Sequence, residues 1–165
     1  MDKYYYLIAQ LPTLFFEKST EMTMDRFMEE AEKWMSGKDL ETLKNVHFLD
    51  TSVEDKAPKL VREYRQFEKQ FRSELAEWRK AVKDGVEYKP EGFSSALVKE
   101  GNPLEVEKKL LAYRWNYLDN KERDHHFDFE FVLVYYLKLQ VLNKLSQFNK
   151  ENGLAAFQKI SKVTI

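Results

Sequence analysis

Apolar residues in this chain recur at steps of three and four, not two, and that spacing predicts helices almost throughout. The longest seam is Leu60, Tyr64, Phe67, Phe71, Leu75, Trp78 and Val82, on a helix opened by Pro58 and closed by Gly85. Its other faces carry mixed charge, with Glu68 four residues before Arg72 as a helical ion pair. A second long helix has the clearest start in the sequence. Asn102 caps it, Pro103 takes the first helical position and Glu105 the third, as in a capping box. Leu104, Leu111 and Leu118 then repeat at sevens, with Leu110, Trp115 and Tyr117 widening the face.

The stretch 128–150 has a different pattern. Asp128 and Glu130 suit the positive end of a helix dipole, and an unbroken apolar run follows from Phe131 to Leu137. Val134, Leu137, Val141, Leu145 and Phe148 form one helical face, while Phe131, Leu133 and Tyr136 lie on others. A helix that is apolar nearly all round must be enclosed by protein or lipid. The run is far shorter than the roughly 18 residues of a membrane span, so protein encloses it. This is the expected central helix of the core, and Trp78, Trp115, Tyr135 and Leu137 are expected to be buried.

Shorter elements fill the remainder. Residues 3–16 predict a short helix ending before Pro12, with Tyr5, Ile8 and Leu11 beside Tyr4 and Leu7; a short strand is the alternative. Thr23 caps a helix whose buried stripe is Phe27, Ala31 and Trp34, and Gly37 stops it. Residues 38–47 give one or two further turns with Leu40, Leu43 and Val46 inward. Residues 86–101 read as a loop with one short turn at 94–99, and residues 119–126 as a charged break. Gly153 is expected to end the central helix, leaving a last short helix with Leu154, Phe157 and Ile160 inward. The expected fold is all-α, a bundle of about six helices with two or three long ones, in a single domain over residues 1–165.

Composition narrows the function. Lys+Arg and Asp+Glu nearly cancel, leaving a net charge of −1 despite 33% charged residues. Such a balance gives no broad attraction to nucleic acid or anionic lipid, so neither nucleic-acid binding nor direct membrane insertion is expected. The absence of cysteine excludes disulfides and thiolate metal sites. The opening residues lack the features of a signal peptide, so a cytoplasmic protein is expected. No phosphate loop, dinucleotide fingerprint, nucleophile elbow or HExxH motif is present, so no catalytic or cofactor-binding residue is assigned.

Glu122-x-x-His125, followed by His126 and Asp128, is half of a di-iron bundle signature, but Lys44 stands where a second Glu would precede His47. We read it as a solvated link between helices and assign no metal. Tyr4, Tyr5 and Tyr6 have no interleaved basic patch, so packing with exposed hydroxyls explains them better than base stacking. The charge-rich helix over residues 59–83 fits a solvated face or a partner surface. The residues alone describe a helical binding or structural protein without catalytic chemistry of its own.

The opening KYYYLIAQLPTLFF, the helix after MTMDRFMEEAEKW and the short GKDLETLKNV resemble an uncharacterised bacterial family encoded among V-type (A-type) ATPase subunit genes. The likeness extends through the central helix, with YYYLxAxLPxL its sharpest motif. FDFEFVLVYYLKLQVLNKL is in turn similar to a stretch of the funnel-shaped helical subunit that joins stalk to rotor ring in these ATPases, with Tyr135 as its tyrosine. GLAAFQKI resembles the short element that follows there. Where the funnel subunit has Lys-Glu and a further Glu, this chain has Leu139, Gln140 and Leu142, and it is roughly half that protein's usual length. Tyr5-Tyr6-Leu7-x-x-Gln10 echoes Tyr135-Tyr136-Leu137-x-x-Gln140, which chance explains better than a repeat. The resemblance implies a non-catalytic protein, similar to a shortened funnel subunit, that couples the central stalk to the rotor ring during proton or sodium transport. It would reach the inner membrane only through that complex. A helical adaptor or regulator of another protein is the alternative, and a carboxylate–histidine enzyme a weaker third.

Overall fold

The computed structural model describes the backbone of residues 4–163 and the side chains of residues 4–150. Seven helices and no strand are found among the described residues, and the chain is 66% helical. They are α1 (Tyr5–Gln10), α2 (Met24–Trp34), α3 (Gly37–Lys44), α4 (Lys59–Asp84), α5 (Ala96–Lys99), α6 (Pro103–Glu122) and α7 (Phe129–Val163).

Helix α7 is the axis. Every residue from Val132 to Leu142 is buried, covered by α6 on one side and by α2 and α3 on others. Its start is fixed by Asp128, whose Oδ1 accepts the Phe131 N–H at 2.9 Å. The expected stop at Gly153 does not occur. The backbone stays helical to Val163, because an interior glycine costs only about 1 kcal/mol relative to alanine and does not by itself end a helix. The inward side chains expected at Leu154, Phe157 and Ile160 lie outside the described residues.

Helices α6 and α7 form a hairpin, since the connection between them is only 123–128 and Lys138 reaches back to Asp119 and Glu122. The charged break is thus shorter than the sequence implied. Helix α4 runs antiparallel to α6, as the pairs Glu63–Lys121, Phe67–Tyr117, Glu68–Arg114 and Phe71–Tyr113 require. Phe67 and Tyr117 stack with centroids 4.0 Å apart. The same register explains why the seam fails at its end. Val82 falls opposite the very start of α6, where no helix covers it, and it is exposed; Trp78 is only partly buried. Trp115, Tyr135 and Leu137 are buried as expected.

The capping box at Asn102 and Glu105 is complete, and Gly85 closes α4 at φ 69°, the left-handed conformation a glycine adopts without strain. Thr23 caps α2, in keeping with its place in the sequence. Gly37, however, opens α3 instead of stopping α2, because Ser36 accepts the Asp39 N–H and caps the new helix. Leu43 and Val46 are buried beneath α3 and Leu40 only partly. In α1 the inward residues are Leu7 and Ile8, with Tyr4 just before the helix. Tyr5, which the spacing groups with Ile8 and Leu11, faces outward.

Candidate functional site

Several charged side chains of the long helices are buried, and each is committed to a partner. Glu68 is wholly enclosed and accepts hydrogen bonds from Arg114 Nε (2.9 Å) and Nη2 (2.8 Å) and from Arg72 Nε (2.9 Å). The Glu68–Arg72 pair expected on the surface therefore exists, but as the rim of an interior Arg114–carboxylate fork. Lys138, buried on α7, donates to Asp119 Oδ1 (3.1 Å) and Glu122 Oε2 (2.9 Å) and lies 4.5 Å from the centre of the Trp115 ring. Gln140 bridges the segment after α3, accepting the Phe48 N–H at 2.8 Å and donating to the Val46 carbonyl at 2.9 Å. An amide can do both, whereas a carboxylate could only accept. Leu139 and Leu142 are buried beside it. Tyr135 donates to the Pro12 carbonyl at 2.7 Å, and burial pushes its phenol pKa well up.

The Glu122-x-x-His125 pair does not assemble, since Glu122 turns toward Lys138. His125 instead contacts Asp128, with Nδ1 and Oδ2 2.8 Å apart. Ligand atoms of His125, Asp128 and Glu130 all fall within 4.8 Å of one another, so Glu130 stands where Glu122 was expected. Asp128 is already occupied in capping α7 through its other oxygen. His126 is exposed. Replacing exposed His126 with Ala should change stability by less than about 0.5 kcal/mol, the range of surface changes. Replacing both His125 and His126 should cost no more than the roughly 0.5–1.5 kcal/mol of the one hydrogen bond between His125 and Asp128. Adding zinc or iron(II) to the wild-type chain should leave the melting temperature unmoved. A stoichiometric metal in purified protein, or a zinc-dependent rise in melting temperature lost in the double variant, would contradict this.

The tyrosine-rich opening divides in two. Tyr4 turns inward, is buried, and donates its hydroxyl to Asp39. Tyr5 and Tyr6 turn outward, 49% and 68% exposed. They do not stand alone. Tyr6 stacks on Trp34 at 5.7 Å, Tyr5 meets Tyr6 edge-on at 5.8 Å, and Tyr5 packs on Phe127 at 4.6 Å. Trp34, expected inside with Phe27 and Ala31, is 45% exposed at the last turn of α2. The result is a continuous aromatic row, Trp34–Tyr6–Tyr5–Phe127, drawn from α2, α1 and the α6–α7 turn. Scattered exposed apolar residues are ordinary, whereas a contiguous group of large aromatic rings offers a surface on which a partner can pack. Such rings bury much area at little conformational cost and dominate binding at protein interfaces. The tyrosines stand out in the sequence, whereas helical spacing groups Trp34 with the buried Phe27 and Ala31 and so hides its exposure.

Comparison with known families gives one similarity. The family model described as "Protein of unknown function (DUF2764)" matches residues 84–164, just under half of the chain, including the α6–α7 hairpin. No match was found among curated proteins or among solved structures.

Proposed function

We propose that this chain is a non-catalytic subunit or accessory protein of a V-type ATPase that joins the central stalk to the rotor ring, in the manner of the funnel-shaped subunit. The observation that carries the reading is the aromatic row in which exposed Trp34, Tyr6 and Tyr5 lean on the half-buried Phe127, because two of its rings belong to the YYYLxAxLPxL segment on which the resemblance rests. The row is backed by buried neighbours, Leu7, Ile8 and Ala31, so a partner would meet a preformed surface. The frame suits a coupling part. Force passes through such a body by close packing, and α7 is enclosed on all sides over eleven residues.

A second reading, a helical adaptor outside the rotary motor, draws on Leu139, Gln140 and Leu142. They stand where the funnel subunit has charges, and all three are buried, so a contact made there by those charges has no counterpart in this chain. The test is to tag the chain in its native host, solubilise membranes gently and identify the co-purifying proteins. Stalk and rotor-ring subunits should be recovered with the wild type. Substituting both Tyr6 and Trp34 with Ala should reduce that recovery at least about tenfold, since buried aromatic anchors contribute most of an interface's energy. An ATPase that assembles and pumps normally in cells lacking the chain would favour the adaptor.

A further inference from the structure

A cleft of about 510 Å³ lies between loop 51–55 and one side of α4, and it shares no residue with the aromatic row. Its helical wall is formed by Arg62, Arg65, Gln66, Lys69, Gln70 and Ser73. Positions 62, 65, 66 and 69 are three and four apart, so the helix gathers two arginines and a lysine on one face. Arg62 and Lys69 are exposed, and neither side chain forms an ion pair or hydrogen bond among the described residues.

Arg65 is different. Its side chain is only 8% exposed, and its Nη2 pairs with Asp50 Oδ2 at 3.0 Å. Asp50 is itself held by the Ser52 N–H (2.9 Å) and hydroxyl (3.1 Å), so this end of the guanidinium is fixed. The Ser52 backbone N–H is the main reason that Asp50 ionises below the usual carboxylate range. The remaining donors of Arg65 are idle. Nε and Nη1 are buried and have no acceptor. Glu54 Oε2 lies 3.7 Å from Nη1, too far for a hydrogen bond, on a side chain that is 71% exposed. A buried guanidinium with unused N–H groups is costly, which makes such groups rare without a ligand, water or functional reason.

We propose that this cleft binds a compact oxyanion, a phosphate group carried by a small molecule, which displaces Glu54 from over Arg65. Arg65 is already balanced by Asp50, so Arg62 and Lys69 supply the two cations, unpaired among the described residues, that match a phosphate group's roughly two negative charges. Glu54 and Asp55 are the acidic residues of the loop wall. A guanidinium also offers several N–H donors to the phosphate oxygens. Gln66, Gln70 and Ser73 add neutral donors along the same wall. The volume lies within the roughly 300–1,000 Å³ of small-molecule sites, which leaves room for more than the bare ion. Glu54 belongs to a loop without regular secondary structure and its side chain is mostly in water. Swinging that side chain away breaks no hydrogen bond among the described residues and leaves the Ala57 N–H on the Glu54 carbonyl in place. The site does not depend on the ATPase reading and would stand if that reading failed.

The test is isothermal titration calorimetry of the whole chain with inorganic phosphate and with pyrophosphate at low ionic strength. One saturable site per chain is expected, tighter for pyrophosphate, and weakened by added sodium chloride as charge screening requires. The double variant Arg62→Ala, Lys69→Ala should bind about tenfold more weakly, equivalent to about 1.4 kcal/mol. Glu54→Gln should bind about threefold more tightly, because a displaced competitor has lost its charge. All three side chains are exposed, so melting temperature and circular dichroism should match the wild type. No saturable heat with either anion would overturn the proposal. So would equal affinity in the double variant, or a Glu54→Gln variant that binds no more tightly than the wild type.

Discussion

Replacing Glu68 with Ala should lower the unfolding free energy by about 3–5 kcal/mol, the cost of breaking a buried ion pair by removing one partner. The loss does not measure what the pair contributes. Taking both charges out of water is itself expensive, and their attraction at 2.8 Å offsets that cost only in the folded chain. What the variant loses is compensation. Arg114 is 9% exposed and lies between α4 and α6, 5.1 Å from the centre of the Phe71 ring, with Glu68 as the acceptor of both its Nε and its Nη2. Without that carboxylate a guanidinium remains in the interior with its donors unmatched. The double variant Glu68→Leu, Arg114→Met should therefore be less destabilised than Glu68→Ala alone, because it leaves no buried charge without its partner. Denaturant titration of the three proteins reads both quantities. A loss below about 1 kcal/mol for Glu68→Ala would mean that water reaches Arg114 and that the α4–α6 interface is looser than the aromatic stacking beside it indicates.

The contrast between Glu68 and its surroundings explains which parts of the fold were legible. The seam from Leu60 to Phe71 was readable because apolar spacing alone defines which face of a helix turns inward. Glu68 sits between Tyr64 and Phe71 on that face. Its local partner Arg72 was visible four residues away, but Arg114, 46 residues distant, was not. Lys138 and Gln140 were misleading for the same reason. They follow the apolar run that ends at Leu137 and break it in sequence, yet Asp119, Glu122, Val46 and Phe48 satisfy them. Burial of a polar group depends on distant partners that periodicity does not encode.

Trp34, Tyr5 and Val82 run the other way. Each is apolar or aromatic at a helical step from buried residues, but each lies near a helix end where covering chain is missing. The candidate interface was thus half legible: the tyrosine cluster stood out, while Trp34, which completes the row, was assigned to the core. Arg65 and Arg62 are indistinguishable in sequence. Only the path of loop 51–55 over α4 makes one buried and leaves the other exposed.

Truncating Leu137 to Ala should cost about 2–5 kcal/mol, the transfer of the lost methyl groups plus the cavity left behind. The upper part of that range is expected here, because the cost depends on whether neighbours can close in. Leu137 is fully buried in the middle of the enclosed stretch of α7, and α2, α3 and α6 pack around that helix. Its neighbours are themselves tied: Tyr136 stacks on Phe27 at 5.3 Å, Tyr135 is held by the Pro12 carbonyl, and Lys138 by two carboxylates. A side chain lost from such a frame leaves a void that small shifts cannot fill. Val82→Ala removes methyl groups from an equally apolar residue, but at 59% exposure it should change stability by no more than about 0.5 kcal/mol. The two variants measured in the same denaturant series give a direct comparison of enclosed and uncovered helix. If Leu137→Ala lost less than about 0.5 kcal/mol, α7 would be a yielding element and not a rigid axis. A coupling role that depends on transmitting force through packed helices would then lose its physical basis, whatever partner the aromatic row engages.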